Sequence, residues 1–310
     1  MRGPMRALRD VSMTVPRGGM VGIVGESGCG KSTLMNAILG LMPANGRIAG
    51  GRILFDGRDL VGLDAATMRR LRGDRLSVVF QDPMTALNPV HTIGAQMVDI
   101  QYRLTGSRAA KRARAAAMLA KVRMPDPRHH LDQYAHEFSG GMRQRICIAM
   151  ALMAEPDLLI CDEPTTALDA TLEVQMLDLL RDLQREIGCA VIFISHHLGL
   201  IAELCAQVVV MYAGQVVERG SVRDIFHRPA HPYTRRLLDC DPARIRERAE
   251  VLPTIPGDVP DLVELPPGCI FSPRCPVAEG RCHTTVPPDV AVADGHHARC
   301  LLARPGEGAA

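Results

Sequence analysis

The stretch that decides the fold covers residues 20–32 and reads MVGIV followed by GESGCGKS. The second part fits the pattern G-x-x-x-x-G-K-[ST], which binds nucleotide phosphates when it follows an apolar strand and opens a helix. Residues 20–24 supply the strand, and residues 31–41 have the length of a helix. The sequence therefore predicts a phosphate-binding P-loop, with a glycine-rich structural turn as the alternative interpretation.

The residues of this loop have distinct predicted tasks. Glycines let backbone N–H groups point inward, toward an anion at the N-terminus of the following helix. Lys31 is expected to reach the β- and γ-phosphate oxygens, and the hydroxyl of Ser32 to bind Mg²⁺. The predicted nucleotide-binding residues of the loop are Gly25, Ser27, Gly28, Gly30, Lys31, Ser32 and Thr33.

A second candidate element is the acidic pair Asp162 and Glu163, which ends the apolar run LLIC. A P-loop needs a carboxylate on the metal side, and Asp162 is the predicted Mg²⁺ residue. Glu163 is predicted to polarise the attacking water, because a carboxylate near Mg²⁺ and phosphate can orient that water and take its proton. A helix cap before Pro164 is the alternative interpretation of the pair.

The order of elements predicts an α/β sandwich with a largely parallel sheet, because short β-rich runs alternate with helix-length segments. The predicted strands cover residues 20–24, 76–80, 157–162 and 189–195, and the predicted helices include residues 31–41 and 171–187. A different, Ala/Arg-rich texture predicts an inserted helical subdomain at about residues 82–156. Eleven of the 22 prolines fall in residues 240–310, which are therefore separated, as a Pro/Cys-rich tail, from a domain at 1–239.

Composition excludes several classes of protein. The chain has 36 Lys and Arg against 34 Asp and Glu, 3% aromatic residues and no Trp, so neither a basic excess nor a base-stacking surface suggests nucleic acid as a partner. The longest apolar run, residues 146–154, is far shorter than the roughly 18 residues that suggest a membrane span. The N-terminus lacks the pattern of a secretory signal, so we expect a cytoplasmic protein.

Four further motifs resemble those of ATP-binding-cassette (ABC) ATPases. FSGGMRQR, about 20 residues before the acidic pair, resembles the family's signature motif, and a serine with two glycines at a helix start suits an anion. The other resemblances are Gln81 in VVFQDP to the Q-loop, 166–169 (TALD) to the D-loop, and His196 in FISHH to the switch histidine.

The resemblance implies a cassette fold, with a mostly parallel sheet and a small antiparallel β region, that hydrolyses ATP as a dimer. Two cassettes close head to tail on two ATP molecules, each held by the P-loop of one subunit and the signature of the other. By this resemblance Gln81 senses Mg²⁺ and water, and His196 contacts the γ-phosphate. The residues assigned to the partner's nucleotide or to the D-loop are Ser139, Gly140, Gly141 and Asp169.

A narrower resemblance, from about residue 7 to residue 300, is to the ATP-binding subunits of dipeptide/oligopeptide or nickel ABC importers. It is carried by GESGCGKST, SGGMRQR, the segment HPYTRRLL at 231–238, and PGCIFSPRCP at 267–276. It implies two transmembrane permeases, a second ABC ATPase of the same or a different kind, and an extracytoplasmic peptide-binding protein. The chain would then act at the cytoplasmic face of the inner membrane. The alternatives are a soluble ABC ATPase without a transport role and a non-hydrolysing regulatory cassette.

The chain departs from the family pattern near its N-terminus. Family members carry an aromatic residue that stacks on adenine some 20 or more positions before the P-loop, whereas the first aromatic residue here is Phe55. Loss of such a ring predicts weaker adenine discrimination, by roughly 1 to 3 kcal/mol in analogy with base stacking, without loss of the phosphate chemistry.

The ten cysteines form two groups. Six are scattered through residues 29–240 without ligand spacing, and we expect Cys29 alone among them to have a lowered pKa, because it lies inside an amide-rich phosphate loop. The other four lie in the tail, which is too poor in apolar residues to fold by itself. Because cysteine-rich tails of this kind in peptide-importer ATPases are associated with an iron-sulfur cluster, the resemblance favours a [4Fe-4S] cluster on these four cysteines. Zinc and the absence of a metal are the alternatives. These residues are Cys269, Cys275, Cys282 and Cys300, with His283, His296 and His297 as spare ligands.

Overall fold

The computed structural model describes residues 3–166, 169–241 and 253–306. It contains two compact units. The first takes its residues from Met1–Val15, Met20–Arg52 and Phe193–Ala310, and the second from Pro16–Gly19 and Ile53–Ile192. Within the described ranges, no helix has the length and apolar character needed to cross a membrane.

The elements are numbered in chain order. The strands are β1 (Met20–Val24), β2 (Leu54–Phe55), β3 (Arg58–Asp59), β4 (Leu76–Val79), β5 (Leu158–Asp162), β6 (Ala190–Ile194), β7 (Gln207–Tyr212), β8 (Gln215–Ser221), β9 (Val290–Ala293) and β10 (His296–Ala298). The helices are α1 (Lys31–Leu39), α2 (Ala65–Leu71), α3 (Pro83–Ala86), α4 (Ile93–Asp99), α5 (Arg108–Lys121), α6 (Pro127–His130), α7 (Gly140–Leu152), α8 (Ala170–Ile187), α9 (Leu198–Leu204), α10 (Val222–His227) and α11 (Pro232–Asp239).

The first unit is built on strand β1, whose five residues are all buried. A strand that is apolar on both faces is typical of a parallel sheet covered on both sides. Strand β1 pairs in parallel with β7, from Val21 opposite Gln207 to Val24 opposite Val210, and β7 pairs with β8 in antiparallel orientation. Helix α1 follows β1 after the P-loop and ends at Gly40, which has the left-handed conformation that commonly stops a helix.

The C-terminal tail extends the sheet of the first unit. Strand β10 pairs with β8 and β9 pairs with β10, both in antiparallel orientation. Phe271 is fully buried and packs its ring against Tyr212 and Tyr233, with ring centroids 5.2 and 5.3 Å away. The tail therefore gains its order from strand pairing and a shared aromatic cluster, which offsets its low apolar content.

A buried polar network holds the start of helix α11 against strand β8. The Glu218 carboxylate accepts hydrogen bonds from the N–H groups of Ala230 and His231, at 2.7 and 3.0 Å, and lies 2.8 Å from Nε2 of His296. The ring of His231 caps α11, because its Nδ1 accepts a hydrogen bond from the N–H of Tyr233 at 3.0 Å. Each of these contacts uses a polar group that burial would otherwise leave unsatisfied.

This cap predicts an acid sensitivity of the fold. Burial lowers the pKa of His231 from 6.5 to about 4. Between these pH values the imidazole is therefore protonated in the unfolded chain and neutral in the folded chain. Stability is therefore lost as pH falls through this window, by an amount on the order of 3 kcal/mol. Urea unfolding of the wild type and of His231→Asn, which keeps a capping acceptor, measures the difference. Parallel pH curves for the two proteins would contradict the assignment.

The second unit contains a parallel strand pair and a group of helices. Strands β4 and β5 pair in parallel, from Leu76 opposite Leu158 to Val79 opposite Cys161. Strands β2 and β3 form a small antiparallel hairpin through Asp56 and Gly57, both with positive φ. Helices α3 to α7 lie between β4 and β5 in the sequence, where a helical subdomain is predicted. The observed fold class agrees with the α/β prediction.

Candidate nucleotide-binding site

The P-loop connects strand β1 to helix α1 in the first unit. Gly25 and Gly30 have φ values of 152° and 102°, and a Cβ at Gly30 would lie 2.9 Å from Leu8 and 3.1 Å from the carbonyl oxygen of Ala7. Only glycine combines this backbone conformation with so close an approach. Helix α1 starts at Lys31 without a side-chain cap, so no capping oxygen takes the N–H groups of its first turn. This arrangement suits a phosphate, which is the usual anion at such a helix start.

Lys31 lies inside the loop. Its side chain is buried, and Nζ donates hydrogen bonds to the carbonyl oxygens of Gly25 at 2.7 Å and Glu26 at 3.2 Å. The ammonium group is therefore held over the loop without a carboxylate partner among these contacts, so its charge is placed to attract phosphate oxygens. Ser27, Gly28 and Ser32 are exposed along the same loop, while Thr33 is half-buried.

The prediction for Cys29 is wrong. Burial raises the pKa of its thiol above the ordinary value, although Lys31 acts in the opposite direction. The side chain is almost completely buried, and its Sγ lies 3.8 Å from Nζ of Lys31. Desolvation of the thiolate outweighs the positive potential of the loop, so Cys29 is a protonated, packed residue.

The second unit brings together the predicted water-orienting residues. Asp162 ends strand β5 and is buried, and Glu163 follows it with a φ of +47°, which is uncommon for a residue other than glycine. The Glu163 carboxylate accepts hydrogen bonds from Nε2 of Gln81 at 3.0 Å and from the Thr166 hydroxyl at 3.2 Å. Gln81 and Glu163, predicted from motifs 82 residues apart, therefore meet at one point.

The signature residues form an exposed helix start. Ser139 caps helix α7, because its hydroxyl accepts a hydrogen bond from the N–H of Met142 at 3.4 Å. Ser139 and Gly140 are exposed, and apart from the neighbouring backbone of the helix no atom lies within 4 Å of the position that a Cβ of Gly140 would occupy. Gly141 is buried within the first turn. The N-terminus of α7 is thus open to an anion from outside the second unit.

The remaining predicted residues have clear local positions. His196 follows strand β6 in the first unit, is exposed, and its ring meets the ring of His197 edge-on at 4.4 Å. Asp169 caps helix α8 by accepting a hydrogen bond from the N–H of Leu172 at 2.9 Å. Residues 167 and 168, the middle of the TALD motif, lie outside the described residues, as do residues 242–252 of the tail.

All ten cysteines are free thiols. Burial raises the pKa of the Cys269 thiol, and the neighbouring thiols Cys300, Cys275 and Cys282 raise it further, so these four side chains lie within electrostatic range of one another. In the part of the chain that the structure describes, however, no group of three or more His, Cys, Asp or Glu side chains is arranged to hold a metal ion. The spare candidate His296 is engaged by Glu218.

Two residues that contact the P-loop were not predicted as site residues. Arg274, from the tail, pairs with the carboxylate of Glu26, and the hydroxyl of Tyr233, from helix α11, accepts a hydrogen bond from the N–H of Glu26. Both lie in segments that were noted only as marks of a family, HPYTRRLL and PGCIFSPRCP. Sequence distance hid the contact, since more than 200 residues separate each of them from Glu26.

Comparison with known protein families gives two matches. Residues 8–166 match the ABC transporter family, and residues 217–282 match the family described as oligopeptide/dipeptide transporter, C-terminal region. A probable peptide ABC transporter ATP-binding protein of Sinorhizobium fredii is 50% identical over 95% of this chain and 89% of its own length. The oligopeptide transport ATP-binding protein OppD of Salmonella typhimurium is 46% identical over 96% of this chain and 89% of its own length. The dipeptide transport ATP-binding protein DppD of Bacillus subtilis is 47% identical over 97% of this chain and 90% of its own length.

Solved structures agree with these matches. A dimeric ATP-binding cassette in a post-hydrolysis state, bound to ADP and Pi, is 28% identical, with a TM-score of 0.62 over 70% of this chain and 91% of that chain. The cassette cbiO1 of Clostridium perfringens, part of an ABC transporter complex, is 28% identical, with a TM-score of 0.63 over 72% of this chain and 84% of that chain. By sequence identity, family match and fold, the chain belongs to the ABC transporter family, as an ABC-type ATPase that carries the C-terminal region of the oligopeptide/dipeptide transporters.

Proposed function

We propose that this chain is the ATPase subunit of an importer of dipeptides or oligopeptides, and that it hydrolyses ATP at the interface of two cassettes. The observation that carries the proposal is the pairing of a P-loop cassette with a C-terminal region of the peptide-transporter kind on one chain. The partners would be two transmembrane permeases, a second ABC ATPase and, indirectly, an extracytoplasmic peptide-binding protein. The chain would lie at the cytoplasmic face of the inner membrane as a peripheral subunit.

The residues of the chain would divide the work of hydrolysis. The P-loop N–H groups and Lys31 bind the phosphates, and the exposed N-terminus of helix α7 in a second cassette completes the site. Glu163 orients a water molecule and takes its proton, and Gln81 holds the Glu163 carboxylate in place. Ser32, Gln81 and Asp162 would hold Mg²⁺, which would neutralise charge on the phosphates. His196 would contact the γ-phosphate, and Asp169 would belong to the dimer interface.

The division of the chain at residue 240 belongs to the same proposal, with the ATP-binding domain at 1–239, its helical subdomain at about 82–156, and the peptide-transporter region at 240–310. The hydrogen bond between Gln81 and Glu163 favours a hydrolysing cassette over a regulatory one, because both residues have the side chains that water activation needs.

The decisive experiment measures ATP hydrolysis by the chain in membrane vesicles with its permeases and binding protein, with and without peptide. We expect turnover that rises when peptide is added. Turnover that peptides leave unchanged would contradict peptide import.

In a second measurement, light scattering of the Glu163→Gln chain is expected to show a dimer with ATP and a monomer without it. A chain that binds ATP and stays monomeric would contradict a homodimeric sandwich and point to a different partner cassette.

The finer part of the proposal concerns the four tail cysteines as ligands of a [4Fe-4S] cluster, or of zinc. The four thiols lie within electrostatic range of one another, although the described residues contain no group of three or more His, Cys, Asp or Glu side chains arranged to hold a metal ion. The double substitution Cys275→Ser and Cys282→Ser is expected to remove the iron or zinc that elemental analysis finds in the wild type. Cys240→Ser is the matched control. A wild type without metal, or an unchanged metal content in the double variant, would remove the idea.

A further inference from the structure

We propose that Arg274 and Tyr233 are positioning residues of the ATP site, which hold Glu26 and thereby fix the charge and shape of the P-loop. The inference rests on the proposed function in that it assumes an ATP-binding loop. It assigns to the C-terminal region an indirect part in nucleotide binding, which Arg274 and Tyr233 carry out through Glu26.

Arg274 binds the Glu26 carboxylate in a two-pronged arrangement. Nη1 donates to Oε2 at 2.8 Å, and Nη2 donates to Oε1 at 3.0 Å. Parallel N–H···O bonds of this kind fix the carboxylate in direction as well as in distance. The Arg274 side chain is only 4% exposed, whereas that of Glu26 is 26% exposed, so the Arg274 end of the pair is shielded from water and the Glu26 end is partly open to it.

The Arg274 guanidinium group also donates hydrogen bonds to three acceptors other than Glu26. Nε donates to the carbonyl oxygen of Pro256 at 2.9 Å, Nη2 to that of Ile255 at 2.9 Å, and Nη1 to the Tyr212 hydroxyl at 3.4 Å. Burial opposes its charge, but the hydrogen bonds to Glu26 and Tyr212 outweigh burial, and the pKa of Arg274 is raised above its ordinary value. Arg274 therefore stays charged, and its position is set before any nucleotide arrives.

Tyr233 holds the backbone of the same P-loop residue. Its hydroxyl accepts a hydrogen bond from the N–H of Glu26 at 3.0 Å, and its ring is fully buried, 4.6 Å from the ring of Tyr212. Tyr233 is the second residue of helix α11, whose start is fixed by His231 and Glu218. Two segments of the C-terminal half thus meet at Glu26, one on its side chain and one on its backbone.

The location of Glu26 makes these contacts matter for ATP. Its carbonyl oxygen accepts one of the hydrogen bonds of Lys31, so a shift of Glu26 displaces the ammonium group that should meet the phosphates. Its carboxylate would also repel a polyphosphate in the adjacent loop, because like charges destabilise one another at short range. Arg274 removes this repulsion by neutralising the carboxylate and turning it toward the tail.

A purely mechanical role is the competing explanation, in which the pair only attaches the tail to the rest of the unit. The two explanations differ in what happens when the Glu26 carboxylate is also removed. If Arg274 acts on ATP by neutralising Glu26, then Glu26→Gln should repair the defect of Arg274→Met. If Arg274 only attaches the tail, loss of the second partner cannot restore the attachment, and the defect should persist.

The experiment measures the dissociation constant for ATP by titration calorimetry on the full-length chain, with thermal unfolding and tail metal content as parallel readouts. Arg274→Met is expected to weaken ATP binding about tenfold, and Arg274→Met combined with Glu26→Gln to recover to within about threefold of wild type. Arg281→Met is the control, since Arg281 lies in the same tail but is 56% exposed and pairs with Glu279. It should bind ATP as the wild type does.

The outcomes separate the inference from the function on which it rests. A wild type that does not bind ATP refutes the proposed function. A wild type and an Arg274→Met variant with equal ATP affinity, or a double variant without recovery, refutes the inference alone. Should Arg274→Met fail to fold, Tyr233→Phe decides, because it keeps the buried ring and loses only the acceptor for the Glu26 N–H. An ATP affinity equal to wild type in Tyr233→Phe would then overturn the inference.

Discussion

Glu163→Gln is expected to lower kcat for ATP hydrolysis by about 100- to 1,000-fold while ATP binding stays within a few-fold of wild type. The side chain keeps its size, and an amide can still accept the hydrogen bonds that Gln81 and Thr166 donate to Glu163. What it loses is the negative charge and the ability to take a proton from water. The backbone at Glu163 is already in an unusual conformation at φ +47°, so the carboxylate is placed by the fold rather than by the substrate.

The test compares single-turnover hydrolysis with equilibrium ATP binding in the same preparation. Glu186→Gln is a suitable control, because Glu186 is an exposed glutamate of helix α8 that pairs with Lys121. Wild-type turnover in Glu163→Gln would show that another group activates the water. A matching loss of ATP binding would place Glu163 in nucleotide binding, which would contradict the assigned role just as clearly.

Lys31→Ala is expected to weaken ATP binding by roughly 2 to 3 kcal/mol, or about 30- to 150-fold. The ammonium group is buried in the loop and already oriented by the carbonyl oxygens of Gly25 and Glu26, so little ordering is needed when phosphate arrives. Removal of Lys31 takes away a charge-assisted donor to phosphate at a place where water competes weakly.

The substitution also removes the Lys31 donor from the carbonyl oxygen of Gly25, whereas that of Glu26 keeps its hydrogen bond from the N–H of Cys29 at 3.2 Å. The loss at Gly25 costs about 1 to 3 kcal/mol of stability where water cannot replace the hydrogen bond. ATP titration must therefore be accompanied by urea unfolding, so that loss of affinity is separated from loss of fold. Lys121→Ala is the control, since Lys121 is exposed and far from the loop in sequence. An ATP affinity in Lys31→Ala equal to that of Lys121→Ala would contradict the role given to Lys31.

Local sequence patterns predicted much of the framework. The strand at 20–24 is observed as β1, and the helix predicted at 31–41 is observed as Lys31–Leu39, which stops two residues early at Gly40. The strand predicted at 189–195 is observed as Ala190–Ile194. These elements were predictable because the apolar runs and the glycines that bound them act over only a few residues.

At Cys29 the packed environment shifts the pKa in the direction opposite to the one that the local sequence predicts. A thiol in a phosphate loop is expected to ionise easily, but the fold buries it, and desolvation raises its pKa instead. For the four tail cysteines, their gathering in an apolar-poor tail and the family resemblance suggested a metal site, but the described residues contain no group of three or more His, Cys, Asp or Glu side chains arranged for one. Burial and side-chain direction are properties of the packed chain, and spacing along the sequence does not report them.

Local sequence patterns, each with a local physical cause, indicated the α/β class, the P-loop, the acidic pair and the helix start at Ser139, and the family followed from the resemblance of several motifs in one order. Tertiary structure alone decided that Gln81 meets Glu163 across 82 residues, and that Arg274 reaches Glu26 across 248. Contacts between distant residues depend on how strands pair and helices pack, and the local sequence around each residue does not indicate its distant partner. For this reason the C-terminal region shows in the sequence only a resemblance to a family, whereas in the structure its residue Arg274 contacts Glu26 of the P-loop.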